Sequence, residues 1–445
     1  MKRFVAMCIS ASLLATAGCN PEEPPKGTPD AGTTDATGQR IEVSEDIKGD
    51  TTWEAENTYV LTRHIFVERG TLTIEPGTQI LGMQGSSLVV TRDAKLHAVG
   101  EKDKPIVFTS SEKPGERLSG DWGGVVLLGR TALNVTGGEA FIEGFAAGSD
   151  ERTKYGGTDD SHDCGKLKYA RIEFAGFKLL NDSELNGLTL GGCGTKTELS
   201  HIQVHRGTDD GIEFFGGTAN LKHAVVSLTE DDGIDWDFGY RGKMQFIVVQ
   251  QGEELGNNGI EADNNEKEHD ASPRSGPQIW NMTLVGRPAG GVEKTIGMTL
   301  RRGTAGSLNN FIVQGFADGA VDVNNGATAK QYEAGALSLK GFIFWANKGT
   351  ATEFSPMPNG NPDATNFNEW EKLMALANGN RVADPMLTAA TDTKAPDFRP
   401  QTGSPALNAE NAQATPSDPF FTAAPFVGAM GTEDWTAGWT AYPEN

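Results

Sequence analysis

Asn186-Gly187-Leu188, Asp210-Gly211-Ile212, Asp232-Gly233-Ile234 and Asn258-Gly259-Ile260 repeat one frame: a short amide or acid, a glycine, an aliphatic residue. The frame returns after 24, 22 and 26 residues, and Asp318-Gly319-Ala320-Val321 resumes it. Each unit also carries an apolar strand, at residues 199–204, 221–228, 244–249, 279–284 and 307–313. Self-similarity at a fixed period of this size marks a stacked supersecondary unit. Antiparallel hairpins would not hold so constant a rung. A parallel coil would, with each rung about 4.8 Å above the last. We therefore expect an all-β chain folded as a right-handed parallel β-helix, with insertions leaving the coil as loops, for example over residues 266–277.

Working outward, Gly70-Thr71-Leu72-Thr73-Ile74-Glu75-Pro76-Gly77-Thr78 reads as a strand followed by a Pro-Gly corner, and Asp121-Trp122-Gly123-Gly124-Val125 opens another strand. Residues 134–165 are polar and glycine-rich, a long loop off the coil. Past residue 345 the pattern changes. Residues 366–377 suit one short helix, with Asn366 as N-cap and Gly379 ending it. A solenoid exposes its core at both ends, so Trp435 and Trp439 are expected to cap it. The expected divisions are a leader (1–18), a flexible tether (19–40), the β-helix (41–345) and a C-terminal cap with the last coils (346–445).

The 445 residues carry 60 acids against 38 Lys and Arg, a formal net charge of −22. That balance argues against nucleic acid and against electrostatic binding to anionic lipid. The 56 Gly and 21 Pro follow no collagen-like period and suit a fold of many tight turns.

Residues 1–19 read MKRFVAMCISASLLATAGC: Lys2 and Arg3, a short apolar run, then small residues before Cys19. The apolar run is too short to span a bilayer and reads as a signal peptide. Thr16-Ala17-Gly18-Cys19 resembles a bacterial lipobox, with Thr16 where Leu is usual. Cys19 is then the lipidated residue, and the Pro-, Thr- and Glu-rich stretch after it is a tether. This places the chain on the outer membrane or cell surface, in contact with the membrane through its lipid anchor only. Cys164 and Cys193 remain in an oxidising compartment, 29 residues apart, a little more than one coil. They read as a disulfide between neighbouring coils or as two buried thiols.

Gly120-Asp121-Trp122-Gly123-Gly124-Val125-Val126-Leu127-Leu128-Gly129, Asp209-Asp210-Gly211-Ile212-Glu213-Phe214-Phe215-Gly216-Gly217, Asn258-Gly259-Ile260-Glu261-Ala262-Asp263-Asn264 and the closing Asp434-Trp435-Thr436-Ala437-Gly438-Trp439 occur in order. Together with Tyr169-Ala170-Arg171-Ile172-Glu173-Phe174-Ala175-Gly176 they resemble a widespread family of bacterial surface β-helix lipoproteins. The resemblance spans roughly residues 50–440. It implies a pectate-lyase-like solenoid and a surface location, and no particular reaction.

Placing the repeats in register stacks Ile212, Ile234 and Ile260 in one interior ladder, with Phe214, Trp236 and Ala262 beside it. Strand alternation turns Glu213, Asp235, Glu261, Asp237 and Asp263 outward. Asp209, Asp210, Asp231 and Asp232 sit at the preceding turn, where Asp-Gly and Asn-Gly also serve to tolerate left-handed backbone. Stacked like charges repel, by roughly 1 kcal/mol per pair in bulk water and about 3–4 kcal/mol at an effective dielectric of 20. Calcium held by Glu213, Asp235, Asp237, Glu261 and Asp263 would offset this. So would salt bridges to Arg206, Arg241 or Lys243, or raised carboxyl pKa values. The expected function is a surface lipoprotein presenting its β-helix for adhesion or for glycan or protein contact, calcium-stabilised. The alternative is a polysaccharide lyase or glycoside hydrolase working through the acidic flank, whose rungs match the carboxylate spacings such enzymes need. The Asp-Asp-Gly-Ile runs look like those of polygalacturonases, but no His-Gly element accompanies them. His201, His205 and His223 read as structural.

Overall fold

Glycine and the residue before it set the corner of each coil. The computed structural model describes residues 38–349 and 367–445, apart from 146–147, 149, 181–182, 253–254 and 288–294. Cys19, the leader and the tether lie outside the described residues. After each corner a short strand runs parallel to its counterpart one coil earlier. Val125–Leu128, Leu188–Gly191, Ile212–Phe215, Ile234–Asp237, Asn258–Ala262, Ile296–Leu300 and Gly319–Val323 stack in a nine-stranded sheet. The longer strands, among them Gly165–Glu173, Glu198–His205, Asn220–Ser227, Lys243–Gln250, Gln278–Val285 and Gly306–Gln314, build a 16-stranded sheet. The ladders of both sheets are parallel, and the chain is an all-β parallel β-helix.

The core fills the coil in vertical rows. Leu188, Ile212, Ile234, Ile260, Met298 and Val321 pair rung upon rung in the shorter sheet. Leu190, Phe214, Trp236, Ala262, Leu300 and Val323 form the neighbouring row. Ile172, Val204, Val226, Val249, Leu284 and Val313 face them from the longer sheet. All are buried. The stacking of Ile212, Ile234 and Ile260 is the one expected from the repeat.

Cys164, just ahead of Gly165–Glu173, and Cys193, just after Leu188–Gly191, form a disulfide with Cα atoms 5.8 Å apart. Near the C-terminal end a helix spans Glu369–Leu373. Its N-cap is Asn368, whose side chain accepts from the Glu371 N–H. Asn366, the expected cap, lies outside the described residues. Gly379, at φ +66°, ends the 3-10 turn Leu376–Asn378 that follows. Phe367, Trp370 and Met374 pack against the core at this end.

Trp435 and Trp439 do not cap the coil's end. The last segment of the chain turns back and runs as a strap along the outside of the longer sheet. Side-chain amides fasten it. Gln245 accepts from the Thr422 N–H and donates to its carbonyl, both at 2.8 Å. Gln203 does the same for Ala441, and Asn310 for Gln413. Each amide offers one donor and one acceptor, so it pairs with a peptide group as a neighbouring strand would. The strap ends with the Asn445 carbonyl accepting from Gly115 N–H.

Candidate functional site

Register brings Thr189, Glu213, Asp235, Glu261, Thr299 and Asp322 into one outward row of the shorter sheet. Asp237 pairs with Phe215 in the next row, and Asp263 follows the Ala262 rung, its N–H bonded to Trp236 O. The turn acids stack as well. Asp210 Oδ1 accepts from Asp232 N–H at 2.9 Å, and Asp232 Oδ1 accepts from Asn258 N–H at 2.5 Å. Each turn thus fastens the next.

Carboxylate oxygens of Asp210, Glu213 and Asp235 lie within 4.8 Å of one another, as do those of Asp232, Asp235 and Glu261, and of Asp209, Asp210 and Asp231. Asp235 belongs to two of these groups. Of the five expected ligands, Glu213, Asp235 and Glu261 converge with turn residues Asp210 and Asp232. Asp237 and Asp263 stand outside the three groups. Asp263 is instead engaged by Arg301 Nε at 2.8 Å and Arg302 Nη1 at 2.5 Å, and Arg301 also pairs with Glu261.

The row is partly roofed. Asp210, Glu213, Asp232 and Asp263 are 6%, 7%, 4% and 4% exposed, while Asp235, Asp237 and Glu261 are half-buried. The roof comes chiefly from the insertion after residue 133, with Ile142 and Tyr155 buried against Phe215 and Leu185. Glu143 from this insertion reaches Asn186 and Glu213, and Asn186 donates to Glu213 Oε2 at 2.5 Å. The insertion is tied to the loop that follows Asn258–Ala262, since Asn134 donates to Asn264 O at 2.9 Å and Asn265 to Asn134 O at 3.1 Å.

Burial first, and neighbouring carboxylates second, push Asp210, Asp235 and Glu213 well above the usual carboxylate range. Asp232 and Asp237 are raised the same way, by burial and then by Glu261 and Asp263 respectively. Burial lifts Glu143 and Glu261 to about 7; Arg301 restrains Glu261. Asp235 Oδ1 and Asp237 Oδ1 are buried with no hydrogen-bond partner among the described residues. Orphaned buried polar oxygens of this kind are costly and rare.

The bases expected beside the row are elsewhere. Arg241 pairs with Asp160, Lys243 with Asp418, and Arg206 donates to Pro443 O. The cations that offset the row are Arg301 and Arg302, carried in by the next coil of the shorter sheet. Neither they nor Glu143 were singled out by sequence, because nothing local in the repeat frame marks them. His201, His205 and His223 lie in the longer sheet, away from the acids and under the strap.

Chemically, the donor set is carboxylate oxygen throughout, which suits a hard divalent cation. Two oxygens bound to one calcium at 2.3–2.6 Å lie at most about 5 Å apart, so the 4.8 Å groups fit. Oxygens this close fall just short of the about 5–5.5 Å that separates the carboxyl groups of a retaining glycosidase.

Parallel coils around an apolar core, with a roofed acidic row on one flank, define the β-helix class. The pectate-lyase-like β-helix domain model matches residues 45–440, and the chain belongs to that family. No curated protein and no solved structure gives a significant match. The family fold is compatible with a polysaccharide-related or binding role.

Proposed function

We propose that this protein is a lipid-anchored surface module whose β-helix binds a glycan or protein partner, and that its acidic row holds a stabilising divalent cation of the calcium type. Cys19 and the leader support the anchor; the rigid coil supports the presenting role. The observation that carries the cation reading is Asp235, a half-buried residue in two of the carboxylate groups, one of whose oxygens is buried and unpartnered among the described residues. Such an oxygen needs a proton or a metal. The roof over the row favours stabilisation over catalysis.

Asp235→Asn tests this by thermal unfolding in millimolar calcium and in excess chelator. We expect the variant to melt higher than the parent in chelator, because an amide sits neutral in the row without taking up a proton, and to lose the calcium-dependent rise. A variant that keeps the full rise would overturn the cation site. The pectate-lyase-like family fold supports a second reading, a polysaccharide lyase or hydrolase. It requires polysaccharide cleavage that disappears in the same variant with no change in calcium response.

A further inference from the structure

A cleft of about 520 Å³ opens between the strap and the longer sheet, on the other sheet from the acidic row. Its floor is His223 and Phe246, rings stacked 4.9 Å apart. Both occupy left-handed backbone, at φ 60° and 63°, in a column that begins with Tyr169 and His201 and continues with Asn281 and Asn310. The repeated bulge stacks side chains along the sheet's outer surface: Tyr169 lies 4.3 Å from His201, and His201 lies 4.5 Å from His223.

One wall is Trp435, set edge-on to His223 at 5.0 Å; another is Phe426, stacked on Phe246 at 6.2 Å. Trp435 spends its indole N–H on Ala429 O at 3.0 Å, so a ligand meets its ring rather than its donor. Burial pushes the His223 imidazole down to about 3 and keeps it neutral. Thr422, Thr432 and Glu433, all exposed, form a polar rim.

An apolar aromatic floor with hydroxyl and carboxylate groups at the mouth matches an amphipathic ring, and the volume falls in the range of small-ligand sites. We propose that this cleft binds a neutral hexopyranose chain, one sugar ring lying against Trp435 above the His223 and Phe246 floor and its hydroxyls meeting Glu433 and the rim threonines. The nearby Lys222 spends its ammonium on Thr422 Oγ1 and Phe420 O, both at 2.7 Å, so Glu433 and a chain charge of −22 disfavour acidic sugars. The proposal deepens the binding-module reading and does not depend on the acidic row, so failure of the calcium test leaves it standing.

The test is titration of tryptophan fluorescence with β-1,4-, β-1,3- and α-1,4-glucan hexamers and with oligogalacturonate. We expect saturable binding of at least one neutral hexamer. It should weaken about tenfold in Trp435→Ala and measurably in Glu433→Gln, an exposed change expected to leave the melting temperature alone. The second variant keeps the test valid should the first disturb the strap. Binding of none of the three neutral hexamers, tighter binding of oligogalacturonate, or neutral binding unchanged in both variants would each overturn the proposal.

Discussion

Gly211 sits where one coil turns beneath the next. A Cβ there would lie 2.2 Å from Val226 Cγ1 and 2.6 Å from Gly233 O, and Gly233 is crowded in the same way by Val249 and Gly259. Neither glycine has positive φ, nor do Asp210 and Asp232. The repeat frame was legible in the sequence, but its cause was not the left-handed backbone that Asp-Gly ordinarily signals. It is close approach between coils, plus a carboxylate that accepts the next coil's N–H. Sequence shows the residue pair and cannot show how near the following rung passes. Gly211→Ala is therefore expected to lower stability by about 1–3 kcal/mol, the usual range for overpacking, measured by denaturant unfolding. A loss below about 0.5 kcal/mol would show that the coils can separate at no cost.

At the scale of the element, the short strands Ile212–Phe215, Ile234–Asp237 and Asn258–Ala262 give their inner residues to the core and outer ones to the acidic row. Period-2 alternation made both rows readable in advance. The partners of the acids were not readable. Arg301 and Arg302 arrive from the coil beyond Asn258–Ala262, and Glu143 arrives from an insertion of irregular sequence. The raised pKa values set a direction with pH. Burial holds Glu143 and Glu261 near 7, well above an ordinary glutamate at about 4.3. Protonation of the folded state is therefore favoured, and cation-free protein is most stable below about pH 4.5 with respect to these groups. That stability is lost as pH rises through 7. Glu143→Gln should flatten the decline in chelator between pH 5 and 8 by about 2 kcal/mol, read from melting at each pH. An unchanged slope would mean that Glu143 does not titrate in this range. Arg301→Ala should cost about 3 kcal/mol, because Asp263 is left as a buried charge with less compensation. A loss no larger than that of an exposed pair would contradict the role given to Arg301.

Across the whole molecule, two devices fasten coil to coil. The disulfide Cys164–Cys193 closes a loop of 29 residues. Chain-entropy reasoning gives about 3–4 kcal/mol for a loop of that length, so Cys164→Ser with Cys193→Ser should unfold at markedly lower denaturant. Equal midpoints would show that the native core alone fixes this region. The strap is the second device. The amides of Gln203, Gln245 and Asn310 and the aromatic column of Tyr169, His201, His223 and Phe246 receive it coil after coil. The closing tryptophans were visible in the sequence as structural, but their place on the flank rather than the end was not. That place depends on contacts with strands some 200 residues earlier, which no local pattern encodes.

The central claim is that the roofed acidic row holds a divalent cation. Thermal unfolding of the purified protein in millimolar calcium and then in excess chelator, at pH 7.5, tests it most directly. Linkage gives about 2.7 kcal/mol of stabilisation at a hundredfold excess over the dissociation constant, so the account predicts a clear calcium-dependent rise in Tm that the chelator reverses. Identical melting in calcium and chelator would contradict it and leave protons and arginines as the only compensation for the row.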